Sequence, residues 1–365
     1  MAPVGDSGSR FLKSLIAIAT LTTVLASCGG STQGSSTTVT SSGKATPKSS
    51  TPSTQATVPS HAATWQMGIQ ISGAQLGVDS VSCPNVGFCV AVDDDGSAYV
   101  LANGRWSHGT VVEPQGSLKR ISCATQDFCI AADQYGNVFR YNGGRWGKVT
   151  PVDMTPVDAL DDVSCPTNNF CMGVGGNGKA YTYRNGTWDS GQQVVQTPVQ
   201  AFTAVSCPTP SICYASSSNG LAYRYASGQW DSGVPVSGNT GSATTTTEAG
   251  LLYKMSCSTS TFCEAANFAG SAYTLTSAKW SSGQIVTTAP MSSLESISCP
   301  SDGMCKAVDN FGNVYSFNQG SWSAGLQIDT TPGTVNYPSE LTSISCPTES
   351  FCVAVGDNGM AYQFS

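Results

Sequence analysis

Charge is what this sequence has least of. Only 11% of its 365 residues are Asp, Glu, Lys or Arg, against about 25% in an ordinary soluble domain. Acidic residues exceed basic ones, giving a formal charge of −7. That balance argues against a nucleic-acid partner, which needs a basic face. Histidine occurs twice, which leaves little room for a His-based metal centre or a Ser-His-Asp triad. The chain carries no nucleophile motif, phosphate loop or cofactor fingerprint, so no cofactor and no metal are expected. Cysteine, by contrast, is plentiful. Fifteen in one chain point to an oxidising compartment.

The first 27 residues read as a leader. Arg10 and Lys13 form a positive start, and an apolar stretch from Ser14 to Leu25 follows. It is shorter than the roughly 20 residues that a membrane-spanning helix needs, and fits a secretory signal. The stretch ends in Leu25-Ala26-Ser27-Cys28, which resembles the bacterial lipobox. The resemblance implies cleavage before Cys28, a lipid on its thiol and a membrane partner through that lipid. Residues 28–63 are mostly Ser, Thr, Gly, Pro and Gln. Such a segment cannot bury enough surface to fold and is expected to be a tether.

From Trp65 onward the chain repeats itself. Seven Cys-x5-Cys pairs recur: Cys83/Cys89, Cys123/Cys129, Cys165/Cys171, Cys207/Cys213, Cys257/Cys263, Cys299/Cys305 and Cys346/Cys352. The first cysteines of successive pairs are 40 to 50 residues apart. After each pair comes Gly-x-x-Tyr, with Phe139 once in place of Tyr. In the first six copies a Trp follows seven residues later. One repeat reads as four strands. Strand a alternates β-branched residues with Ser, and a five-residue loop follows it. Strand b is apolar almost throughout. Strand c carries the Tyr, and strand d begins at the Trp. Four strands at this period are the signature of a propeller blade.

The seventh repeat stops after strand c, without its Trp. The missing strand sits at the other end. Trp65-Gln66-Met67-Gly68-Ile69-Gln70-Ile71 matches Trp322-Ser323-Ala324-Gly325-Leu326-Gln327-Ile328 at five of seven positions, counting Ile and Leu as equivalent. The expected fold is therefore all-β: a seven-bladed propeller over residues 64–365, closed by its N-terminal strand. It is expected to be a monomer. The closure resembles that of WD-repeat proteins, and Tyr-x6-Trp after a glycine turn is similar to the kelch pattern. The whole resembles secreted bacterial propeller lipoproteins with Ser-Cys-Pro…Phe-Cys repeats, which implies an extracytoplasmic protein anchored to the cell membrane.

Each cysteine pair spans the a–b loop of one blade, where facing hairpin positions suit a disulfide. Zinc favours four converging thiolates, and seven separated pairs do not converge. The recurrent Tyr and Trp are expected to fill the space between blades. Variation is concentrated in the b–c turns, and variable loops on a rigid ring are where binding lives. The candidate binding residues are Asp93, Asp95, Asp133, Tyr135, Asn177, Asn219, Phe268, Asp309, Phe311 and Asp357. Tyr135, Phe268 and Phe311 are aromatics at turn tips, suited to stacking on a sugar or a partner side chain. Asp93-Asp94-Asp95-Gly96 lacks the full alternation of a calcium loop. The acids fall at equivalent places in separate blades, so no catalytic pair stands out. A non-catalytic binding or scaffold module for a glycan or protein is the first reading. A glycosidase or lyase using acids at the propeller mouth is the alternative.

Overall fold

Ser-Cys recurs in every strand a because one hydroxyl does two jobs there. The inner edge of a blade offers backbone N–H groups with no further strand to pair them. In each blade the Ser before the first Cys accepts the N–H of the corresponding Cys in the next blade. Ser82 takes Cys123, Ser122 takes Cys165, and Ser164 takes Cys207. Ser206 takes Cys257, Ser256 takes Cys299, and Ser298 takes Cys346. Ser345 then takes Cys83 at 2.9 Å and completes the circle. A second, partial ring lies two residues earlier, where Ser80, Asp162, Ser296 and Ser343 accept N–H groups of the following blades.

The computed structural model describes residues 63–74, 77–152, 160–196, 201–236, 251–289, 291–331 and 339–365. The expected leader, Cys28 and most of the tether lie outside them. The described chain is all β: seven blades of antiparallel strands arranged in a ring. In blade 1, strand a is Val78–Asn85, strand b Phe88–Asp93 and strand c Ser97–Ala102. The inner strands of blades 2 to 7 are Leu118–Thr125, Leu160–Thr167, Phe202–Thr209, Leu252–Cys257, Leu294–Ser301 and Leu341–Thr348. The N-terminal strand Ile69–Gln70 completes blade 7 by pairing with Met360 and Ala361. Trp65 bridges Phe364, and Thr64 exchanges hydrogen bonds with Ser365.

Two local features differ from the sequence reading. Strands a and b run past the cysteines in six blades and meet in a tight turn such as Val86-Gly87, where a five-residue loop is expected from the sequence. The strands tolerate Pro84 because the register shifts there, between Ser82 and Asn85, and proline sits best at such irregularities. Strand d is not continuous either. In blade 1 it is two short pieces, Arg105–Trp106 and Thr110–Val111, both paired to strand c. The break is filled by the residue after the Trp. Ser107 Oγ accepts the N–H of Val100, and its own N–H donates back to Val100. Asp189, Asp231, Ser281 and Ser323 cap strand c the same way. The Gly two residues further on lets the strand-c Tyr lie flat against the outer strand. A Cβ on Gly191 would meet the Tyr181 ring at 2.5 Å.

All seven disulfides form within their own blades: Cys83–Cys89, Cys123–Cys129, Cys165–Cys171, Cys207–Cys213, Cys257–Cys263, Cys299–Cys305 and Cys346–Cys352. They bridge facing hairpin positions, as the sequence reading expects. Cys89, Cys129, Cys171, Cys213, Cys263, Cys305 and Cys352 are each the second residue of strand b, inside the hairpin. All seven are buried, Cys305 at 3% exposure and the others at 0%. The two cysteines of a pair face each other across the hairpin, as Cys123 and Cys129 do, with Cα atoms 4.0–4.1 Å apart. Facing strand positions outside the ladder's hydrogen bonds approach that closely, which also leaves the first cysteine's N–H free for the serine of the preceding blade. Disulfides of this number place the fold in an oxidising environment.

The core lies between blades, in seven clusters. Phe351, Val353 and Val355 of blade 7, for example, pack against Val78, Val81 and Ala91 of blade 1, with Cys83 and Cys89 in the same cluster. Each Trp is half-buried on its cluster and packs on the strand-c side chain opposite, as Trp146 does on Tyr141 with centroids 5.2 Å apart. The Tyr and Trp thus fill inter-blade space.

One core residue breaks the pattern. Glu264 stands where the other blades carry Val90, Ile130, Met172, Tyr214, the half-buried Lys306 and Val353. It shares its side of strand b with Phe262 and Ala266, which pack on blade 6. It is fully buried, and neither carboxylate oxygen has a hydrogen-bond partner. Burial pushes its carboxyl up from 4.5 to about 7. Between those values the fold keeps a proton that the unfolded chain releases, so stability falls as pH rises and stays reduced above pH 7. At about 1.4 kcal/mol per unit, the loss is about 3 kcal/mol. Glu264→Met is expected to remove this slope. Denaturant titrations should show it about 3 kcal/mol more stable than wild type at pH 8, and little different at pH 4.

Candidate binding face at the channel mouth

Strand order decides which groups share a face. Strand a starts where strand b ends, as in the pair Val78 and Asp93. Strand d ends there too, with Val112 N–H on the carbonyl of Gly96. One face therefore carries the b–c turns, the d–a connections and the starts of the inner strands. The disulfides lie towards the other. Of the two long d–a connections, 237–250 and 332–338 fall outside the described residues.

The b–c turns sort the ten candidate residues into two groups. Asp93, Asp133 and Asp309 are buried and hold their own turns together. Asp93 Oδ1 accepts the N–H groups of Asp95 and Ser97, and its Oδ2 accepts the Tyr99 and Ser72 hydroxyls, each at 2.7 Å. Asp309 does the same for Phe311, Asn313 and Tyr315. Asp133 holds Tyr135 and Asn137. Burial, with Asp93 beside it, pushes the Tyr99 hydroxyl up to about 12, and Tyr315 rises equally against Asp309. Asn177 accepts from Lys179 N–H and donates to the Tyr181 hydroxyl. Asn219 is buried against Ser217. Asp357 accepts the N–H of Glu340, tying the turn of blade 7 to the start of its inner strand. The exposed members are Asp95, Tyr135 at 52% and Phe268 at 36%, with Phe311 half-buried.

Sequence reasoning passed over the inner ring. The second residue of each strand a is Asp79, Lys119, Asp161, Thr203, Tyr253, Glu295 or Thr342. The third is Ser80, Arg120, Asp162, Ala204, Lys254, Ser296 or Ser343. Seven of these fourteen positions are charged, in a chain where about one residue in nine is. That concentration was the available signal. The ladder between strands a and b is irregular just there in each of the seven blades, for instance between Val78 and Ser80. Such a bulge re-aims consecutive side chains. The third-residue side chains and several of the second surround a cavity of about 150 Å³.

The charges at this mouth are interlocked. Lys119 pairs with Asp79 at 3.4 Å and with Asp94. Arg120 donates Nε to the carbonyl of Asp161 at 2.7 Å and Nη1 to that of Lys119 at 2.8 Å. Asp162 accepts the N–H groups of Val163 and Val205. Burial nevertheless raises Asp162, against the pull of Arg120. Burial likewise raises Asp79, to about 7, against Lys119 and with Asp94 adding to the rise. Lys254 Nζ lies 4.1 Å from the centroid of the Tyr253 ring, and Tyr253 packs on Phe268 with centroids 4.6 Å apart. Among the described residues no group of three or more His, Cys, Asp or Glu side chains could hold a metal ion.

The described chain is thus a seven-bladed β-propeller with one disulfide per blade. No known family model matches it, and no curated protein is similar in sequence. Solved structures share its fold. YCF48 bound to D1 peptide is 15% identical, with a TM-score of 0.59 over 82% of this chain and 96% of its own. The RRP9 WD40 repeats are 9% identical, with a TM-score of 0.66 over 82% and 97%. A catalytically inactive virginiamycin B lyase from Staphylococcus aureus with Quinupristin is 8% identical, with a TM-score of 0.68 over 83% and 99%. At such identities the likeness is one of fold.

The division between buried and exposed turn acids is measurable. Asp309→Ala is expected to cost about 1–3 kcal/mol, because it leaves buried N–H and O–H donors unpaired. Asp95→Ala, exposed at its turn, should change stability by less than about 0.5 kcal/mol. Urea titration of both variants at pH 7 reads the difference.

Proposed function

We propose that this chain is a membrane-anchored, extracytoplasmic lipoprotein whose propeller is a non-catalytic binding module for a polypeptide. The observation that carries the reading is the contrast between the frame and the mouth. Serines, cysteines, tyrosines and tryptophans repeat around the ring. The starts of the inner strands differ from blade to blade and hold charged and aromatic groups around a cavity. A rigid ring with one non-repeating mouth suits recognition. Exposed Tyr135 and Phe268 add aromatic anchors to that face. Neighbours in fold include a propeller bound to a peptide, which favours a polypeptide over a glycan. The lipid anchor rests on Leu25-Ala26-Ser27-Cys28 and on the tether that follows.

A carbohydrate-active enzyme is the second reading. Its support is Asp79, a carboxyl brought near neutrality at the mouth, as a general acid requires. Against it, Lys119 engages both Asp79 and Asp94, and backbone N–H groups occupy both oxygens of Asp162.

Two experiments address the proposal. Photoreactive phenylalanine placed at Tyr135 or Phe268 on intact cells should yield adducts with discrete polypeptides. The same probe at Val86, exposed on the disulfide face, should not. Equal labelling from both faces, or glycan adducts alone, would overturn the reading. Separately, Cys28→Ser should shift the protein from the membrane fraction to the soluble one. Retention in the membrane would remove the lipid anchor from the proposal.

A further inference from the structure

We propose that the channel mouth accepts the cationic side chain of the bound polypeptide, an Arg guanidinium or a Lys ammonium, at Asp79, with Asp162 and Glu295 adding negative charge around it. This inference rests on the polypeptide reading above and names the chemistry that the mouth selects. All three acids line the same axial cavity of about 150 Å³. That space holds one cationic head group with a few waters.

The resident cations are already engaged. Lys119 is spent on Asp79 and Asp94, and Arg120 on two backbone carbonyls. Lys254 lies over the ring of Tyr253. What is left over is an acceptor. Asp79 Oδ2 is buried with no hydrogen-bond partner. A buried carboxylate oxygen without a donor is costly, and a donor supplied by a ligand removes that cost. The contact of Lys254 with Tyr253 shows how an aromatic face at this mouth receives a cation. Phe268, stacked on Tyr253 and exposed, extends that surface towards the incoming chain.

Proton linkage gives the inference its signature. Burial raises Asp79 to about 7, with Asp94 adding to the rise and Lys119 and Arg120 opposing it. Asp162, Lys254 and Glu295 line the same cavity. A cation entering beside Asp79 displaces its proton, so affinity should rise as pH is raised through 7 and level off above it.

The test uses the full chain and a library of random short peptides. Sequences that bind are then resynthesised with citrulline for Arg and norleucine for Lys. Bound sequences are expected to carry a required basic residue, whose neutral replacement weakens binding about tenfold or more. Asp79→Asn, nearly the same shape as the protonated acid, should weaken basic peptides to a similar degree and abolish the rise between pH 6 and 8. A thermal melt confirms that this variant is folded, and Glu295→Gln, two blades away around the cavity, should weaken the same peptides independently. Neutral or acidic sequences among the binders, undiminished binding of the citrulline forms, or an unchanged pH profile in Asp79→Asn would overturn the inference while leaving the polypeptide reading intact. Failure of every peptide, whatever its charge, would instead overturn the polypeptide reading, and this inference with it.

Discussion

A serine hydroxyl that accepts a cysteine N–H from the next blade, seven times in a closed circle, is the constraint on which the architecture depends. The inner strand of a propeller blade is an edge, and unpaired edges are a liability. Here each edge is satisfied by a side chain of its neighbour, so the same bond that quiets the edge joins the blades. The adjacent disulfide fixes the hairpin that presents the N–H. With the lumen wall settled by Ser and Cys, the second residue of each inner strand is left to vary, from Asp79 and Lys119 to Tyr253 and Thr342.

The architecture was legible in the sequence because it repeats. Cys-x5-Cys gave the blade count, and the match between Trp65–Ile71 and Trp322–Ile328 gave the closure, now seen as pairing of Ile69 with Ala361. Finer geometry was not legible. Strand d breaks at Ser107 because a side chain competes with the ladder for the N–H of Val100, and periodicity carries no trace of that competition. Strands a and b run on past the cysteines because the register irregularity absorbs a proline that reads as a loop signal.

The candidate face was legible in outline and misleading in detail. Turn chemistry draws Asp and Asn to the b–c turns, and composition cannot tell a carboxylate that faces solvent from one that holds its own loop. Asp93 and Asp95 lie two residues apart in one turn, yet one is buried under two hydroxyls and the other is exposed. The charged ring from Asp79 to Glu295 went unread for a different reason. Its members come one or two at a time along the chain, a blade or more apart. Only the stacking of the inner strands brings them around one cavity.

The six-residue separation within every disulfide has a consequence for how the molecule is made. Fourteen half-cystines could pair in a vast number of ways, but each has its partner six residues along the chain, so the native pairings are the most local ones on offer. Covalent order can thus be settled hairpin by hairpin, and each closure costs less loop entropy than any pairing between blades. Blade 7 obeys the opposite schedule. It needs Trp65 and Phe364 together, so its completion waits for the last residues of the chain. Birth of the fold is local in its chemistry and global only in its final step, and a truncated chain would be correctly oxidised yet unable to close.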